Sequence, residues 1–116
     1  VTQALWPLLK KTEHSKVANI SSLMGSIDDC LSGRSYAYRT SKTGLNMITK
    51  ILSVEGQDTD VSVSCYHPGW VQTDMGGERA PVQAHESVEG LIGLIERQTI
   101  ERSGRFFEYT GVELPW

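Results

Sequence analysis

Tyr38 and Lys42 stand four residues apart in the run YRTSK, and Ser22 closes the run NISS upstream. All three side chains can hold or move a proton at an oxygen atom, which suits them to interconverting a carbonyl and an alcohol. On a helix, a spacing of four puts two side chains on one face, so the Lys42 ammonium can lie beside the Tyr38 phenol. A cation at ~4 Å, in an effective dielectric of about 20, attracts a phenolate by on the order of 4 kcal/mol, which helps the phenol release its proton. Each residue also has a plainer reading. Ser22 can satisfy backbone groups at a strand exit, Tyr38 can be a packing residue, and Lys42 can be a solvated surface charge.

The elements that must position this trio are legible from apolar periodicity. VTQALWPLLKK reads as a helix with Leu5, Leu8 and Leu9 on its apolar side, kinked or started late by Pro7. KVANIS has the short apolar character of a buried strand and runs into a polar, Gly-containing loop from Ser22 to Arg34. A long helix is predicted from Ser35 to about Glu55, carried by Leu45, Ile48, Ile51 and Leu52 and ending near Gly56, with Tyr38 and Lys42 in its first two turns. VSVSCY is a strand with Val61, Val63 and Cys65 alternating, and HPGWVQTDMGG breaks it into a second loop. A helix from about Glu86 to Arg97, built on Val88, Leu91, Ile92 and Ile95, precedes a last strand, RFFEYT, and the tail GVELPW. Strands alternating with helices imply an α/β fold with a parallel sheet and crossover helices, and three strands make only part of such a sheet. Residues 1–116 form one partial domain on this reading, without internal repeats or linkers.

Bulk properties narrow the function classes. The chain is 39% hydrophobic with a formal charge of -3, ordinary for a globular domain, and its scattered basic residues give no patch for nucleic acid. Cys30 and Cys65 form no CxxC pair, and His14, His67 and His85 are far apart, so no metal site is expected. No apolar run approaches the ~20 residues that span a bilayer, and no signal peptide opens the chain, so no membrane partner and a cytoplasmic location are expected. The opening helix has neither a capping residue nor an initiating Met, which implies a longer parent.

NISSLMGSI, then YAYRTSKTGLN, then HPGWVQTDMGG resemble, in order, the short-chain dehydrogenase/reductase family. With TQALWPLL and the ending GRFFEYTGVELPW, the likeness is greatest to its carbonyl-reductase branch, which includes the sniffer and C-factor proteins. The resemblance implies the C-terminal half of a Rossmann-like doubly wound sheet. It assigns catalysis to Ser22, Tyr38 and Lys42, and cofactor binding to Tyr38, Lys42, Pro68, Gly69 and Thr73. It also implies NADP or NAD, with NADP preferred, a small carbonyl or alcohol substrate, and a parent that is a homo-oligomer by analogy. The family's glycine-rich turn is not found, since no GxG occurs in the chain, so the dinucleotide-binding half is expected to be absent and the isolated chain inactive. Two competing readings use the same residues: a non-catalytic binding or regulatory relative, and an epimerase or dehydratase built on the same Tyr-Lys pair.

Overall fold

The computed structural model describes residues 1–116. In chain order the elements are α1 (Thr2–Leu9), β1 (Ser15–Ile20), α2 (Tyr36–Glu55), β2 (Val61–His67), α3 (Ala84–Glu96) and β3 (Phe106–Glu108). Two short 3-10 turns, Leu23–Gly25 and Ile100–Arg102, lie between them. The strands form one parallel sheet in the order β1-β2-β3. Ser15 aligns with Val61 and Ile20 with Tyr66, while Cys65 aligns with Phe106. Parallel neighbours cannot be joined by a tight turn, so each connection carries a helix across the sheet.

Side-chain alternation along β2 sorts the helices between the two faces. Val61 and Val63 cluster with Leu52 of α2, against Trp6 and Leu9 of α1 and Val17 of β1. Tyr66, on the opposite face, clusters with Leu94 of α3 and Phe107 of β3, backed by Leu91 and Ile95. Helices therefore cover both faces, and every residue from Val61 to Tyr66 is buried. The alternation of Val61, Val63 and Cys65 pointed to a half-buried strand. The serines between them are buried as well, because their hydroxyls are paired: Ser62 donates to the Ser15 carbonyl and Ser64 to that of Arg102. Gln98, buried beside them, donates to the Ser62 carbonyl at 2.8 Å and accepts from the Tyr66 hydroxyl at 2.8 Å.

Pro7 does lie inside α1, whose eight residues end on the Lys10 cap. The last strand spans three residues, where the aromatic run RFFEYT suggested six. Tyr109 leaves it with its N–H donating to the His67 carbonyl at 2.9 Å, and Gly111 turns the chain at φ +94°.

Candidate functional site

Because the strands are parallel, the segments leaving β1, β2 and β3 emerge on one rim of the sheet, where open α/β folds place ligands. Ser22 follows β1 by two residues and caps the turn Leu23–Gly25. Its backbone is extended, at φ -150° and ψ 148°, and its Oγ accepts the Met24 N–H at 3.2 Å. The side chain is 8% exposed, and its own O–H donates to no group of the chain, so that proton is free to meet a ligand oxygen.

Tyr38 and Lys42 occupy the first two turns of α2, as their spacing predicts. The Tyr38 phenol makes no hydrogen bond within the chain, and the residue is 38% exposed, poised at the rim. Lys42 Nζ lies 5.7 Å from the Tyr38 ring centroid and donates to the Ile20 carbonyl at 3.2 Å. The ammonium thus sits over the ring rather than out in solvent, a cation-π contact worth about 0.5–1 kcal/mol at such a site. It ties the helix to the end of β1 and keeps further N–H groups for a ligand.

Gly25 sets the approach of the Ser22 turn to the helix. A Cβ there would meet the Lys42 carbonyl carbon at 2.8 Å and Lys42 Cβ at 2.9 Å, so only glycine lets the two backbones touch. Thr43 Oγ1 donates to the Gly25 carbonyl at 2.9 Å and holds them there. Behind this contact is a buried polar cluster that residue types alone did not single out. Asn46 Oδ1 accepts from Ser21 Oγ at 2.7 Å and from Cys65 Sγ at 3.3 Å, while Asn19 Nδ2 donates to Thr49 Oγ1 at 2.9 Å. Burial pushes the Cys65 thiol up, which keeps it a donor. Asn46 extends the stripe Tyr38, Lys42, Asn46 at steps of four, the signal that marks it as belonging to the site's face.

Pro68 and Gly69 leave β2 on the same rim. The Pro68 carbonyl accepts from Ser87 Oγ at 2.6 Å, and Gly69, at φ +84°, presses so closely on Tyr109 that a Cβ would meet the ring at 2.9 Å. His67, just before them, is half-buried with its Nδ1 unpartnered. Burial pushes its imidazole down, against the opposing pull of Glu108. Thr73 stands further out. Its Oγ1 accepts the Gly76 N–H at 3.1 Å, and it lines an open depression with Gln72, Asp74, Gly77 and Glu78 that no member of the trio reaches. The structure therefore sets Lys42 beside Tyr38, places Ser22 on the turn whose Gly25 rests on Lys42, puts Pro68 and Gly69 on the loop leaving β2, and gives Thr73 a turn-capping contact.

The donor set fits the nicotinamide end of a dinucleotide beside a carbonyl compound: an ammonium with N–H groups to spare, and two uncommitted hydroxyls. A family model described as short chain dehydrogenase matches residues 1–84. The C-signal protein of Myxococcus xanthus is 43% identical over 116 residues, covering 100% of this chain and 70% of that protein. The carbonyl reductase Sniffer of D. melanogaster superposes with a TM-score of 0.92 at 36% identity, over 99% of this chain and 51% of its own. A carbonyl reductase from chicken fatty liver, solved with NADPH bound, gives 0.90 at 35% identity with the same coverage of 99% and 51%. The chain spans about half the length of these two reductases. Sequence and fold agree: this chain belongs to the short-chain dehydrogenase family.

Proposed function

We propose that the chain forms the catalytic half of an NAD(P)-dependent short-chain reductase that converts a small carbonyl compound to its alcohol, with Tyr38 as the proton donor. The observation that carries this is an uncommitted Tyr38 phenol beside the Lys42 ammonium, with the uncommitted Ser22 hydroxyl just past the end of β1 on the same rim of the sheet. NADP is preferred over NAD, on the strength of the NADPH-bound reductase of the same fold. When bound, the reduced nicotinamide supplies the hydride to the carbonyl carbon. As negative charge grows on the carbonyl oxygen, Ser22 donates a hydrogen bond to it, and the Tyr38 O–H delivers the proton that completes the alcohol. Lys42 stabilises the phenolate left behind and offers its remaining N–H groups to the cofactor's ribose hydroxyls. Pro68, Gly69 and Thr73, on the loop after β2, would help to hold the cofactor. The glycine-rich phosphate turn belongs to a preceding half, and the 116-residue chain alone has no turnover.

The test is NADPH-dependent reduction of an aldehyde or ketone by the protein in which this chain is joined to a dinucleotide-binding half. Tyr38→Phe is expected to lower kcat by about 10²–10⁴ and Ser22→Ala by about 10²–10³, each with an unchanged circular dichroism spectrum. Full activity in a folded Tyr38→Phe protein refutes the assignment. Cycling of substrate without net NADPH consumption would favour an epimerase instead.

A further inference from the structure

We propose that Trp116 is a positioning residue for the site: it staples the loop after Ser22 to the sheet, so that the tail of the chain holds the Ser22 turn against α2. The inference rests on the reading of Ser22 given above and adds a residue far from it in sequence.

Three donors from consecutive residues converge on the Trp116 carbonyl. The Ile27 N–H lies at 3.0 Å, the Asp28 N–H at 3.1 Å and the Ser26 hydroxyl at 3.2 Å. Ser26 Oγ in turn accepts the Asp29 N–H at 3.0 Å, which locks the four residues into one turn around that oxygen. Three donors from consecutive residues on one backbone oxygen wrap the loop around it. Arg39 of α2 adds only long contacts at its two ends, to the Met24 carbonyl at 3.5 Å and the Ser32 hydroxyl at 3.4 Å. Ile27 is 72% exposed, Leu31 is 89% exposed and Cys30 is exposed, so no apolar anchor buries this segment.

The carbonyl is itself anchored. The Trp116 ring stacks on buried Phe106 of β3, with centroids 5.7 Å apart and planes inclined by 18°. The Leu114 N–H donates to the Phe106 carbonyl at 2.8 Å, and Glu113 bridges antiparallel to Phe107. On the other side, Ser26 directly follows Gly25, whose backbone rests on Lys42. The Gly25 N–H donates to the Ser22 carbonyl at 2.8 Å, and the Ser26 N–H to that of Leu23 at 2.9 Å. A continuous path of contacts therefore runs from β3 through Trp116 and Ser26 to Ser22 and Lys42, the two sides of the candidate site.

The test is residue-resolved amide hydrogen exchange by NMR on the 116-residue chain, with Trp116→Ala, Trp116→Phe and Ser26→Ala. Losing the ring anchor should speed exchange at Ile27 and Asp28 by about tenfold, the scale of one or two net hydrogen bonds. The same variant should speed exchange at Gly25 and shift the Met24 amide resonance, which reports its bond to Ser22 Oγ, while Cys65 in β2 and Tyr109 just after β3 keep their protection. Trp116→Phe, which retains a ring for Phe106, should restore the wild-type pattern. Ser26→Ala removes one donor without touching the aromatic stack and should give the same pattern at smaller amplitude, which decides the matter if Trp116→Ala fails to fold. Opening at Ile27 and Asp28 alone, with Met24 and Gly25 unchanged, overturns the proposal, as does uniform loss of protection across the sheet in a folded variant. The exchange is read without substrate, so a failed Tyr38 assay would refute the catalytic reading and leave this test intact.

Discussion

Replacing Asn46 by alanine tests whether the buried polar cluster fixes α2 to the sheet behind the site. Asn46 is 3% exposed, Ser21 is 3% exposed and Cys65 is fully buried, so water cannot take the place of a lost partner. Without the amide oxygen, the Ser21 hydroxyl retains the Lys42 carbonyl at 3.4 Å, near the limit of a useful bond, and the Cys65 thiol loses its acceptor. A buried hydroxyl left without a good partner costs about 1–3 kcal/mol, and a thiol adds little. Some of that is returned, because Asn46 Nδ2 is itself buried without a partner and disappears with the side chain. The net expectation is destabilisation by about 1–2 kcal/mol, a fall in Tm of roughly 4 °C for each kcal/mol. Urea unfolding followed by tryptophan fluorescence measures it. The double variant Ser21→Ala/Asn46→Ala should cost less than the sum of the single variants, with a coupling of about 1 kcal/mol, since the two groups are each other's main partner. Strict additivity, or a single-variant effect below about 0.5 kcal/mol, would refute the claim that this pair bears on α2.

Three further outcomes follow from distances and burial. Gly25→Ala places a methyl group against the Lys42 backbone and should destabilise by about 1–3 kcal/mol, and an unchanged urea midpoint would contradict that contact. Tyr66 is pushed up to about 12 by burial, ahead of the smaller opposing influence of Ser64. Its folded-state value lies above the ordinary 10, so the phenol's contribution to stability is full below pH 10 and is lost as the pH rises from there towards 12. Urea midpoints across that range should fall more steeply for the wild type than for Tyr66→Phe, and parallel curves would show the phenol to be uninvolved. Cys30 is exposed and Cys65 buried with its thiol held protonated, so iodoacetamide should label one cysteine in the folded chain and both in urea. Rapid double labelling of the folded protein would mean that the Cys65 side of the sheet opens readily.

Most of the framework could be read from apolar spacing. The start of α2 lies at Tyr36 where Ser35 was expected, β2 begins at Val61, and α3 begins at Ala84, two residues before its expected start. The helices announce themselves because each packs one face on the sheet at the matching period, and β2 because its valines recur every second residue. The 3-10 turn at Leu23–Gly25 was not legible, since its existence depends on Ser22 capping it and on Gly25 meeting Lys42 from across the sheet edge. The burial of Ser62 and Ser64 was hidden for a related reason. Alternation with valine implies a wet face, but the distant Leu94, Gln98 and Phe107 cover it and the Ser15 and Arg102 carbonyls pair its hydroxyls. The neighbourhood of Tyr38 and Lys42 was legible because the two share a helix face, and the strand exit at Ser22 because KVANIS runs into a polar loop. Thr73 was assigned by likeness alone, and its side chain is occupied with Gly76. Trp116 carries no local mark of its role, because its partners lie 90 residues away.

The register of β1, β2 and β3 has a consequence for how such a chain changes over generations. Strands aligned in one direction deliver every exit segment to the same border, while the interior that specifies folding lies elsewhere, around Leu52, Val61, Val63 and Leu94. Insertions or exchanges between Leu31 and Arg34, or between Thr73 and Arg79, change that border without disturbing a single rung of the ladder. Descendants of one ancestor can therefore diverge along that border while inheriting the same sheet unaltered.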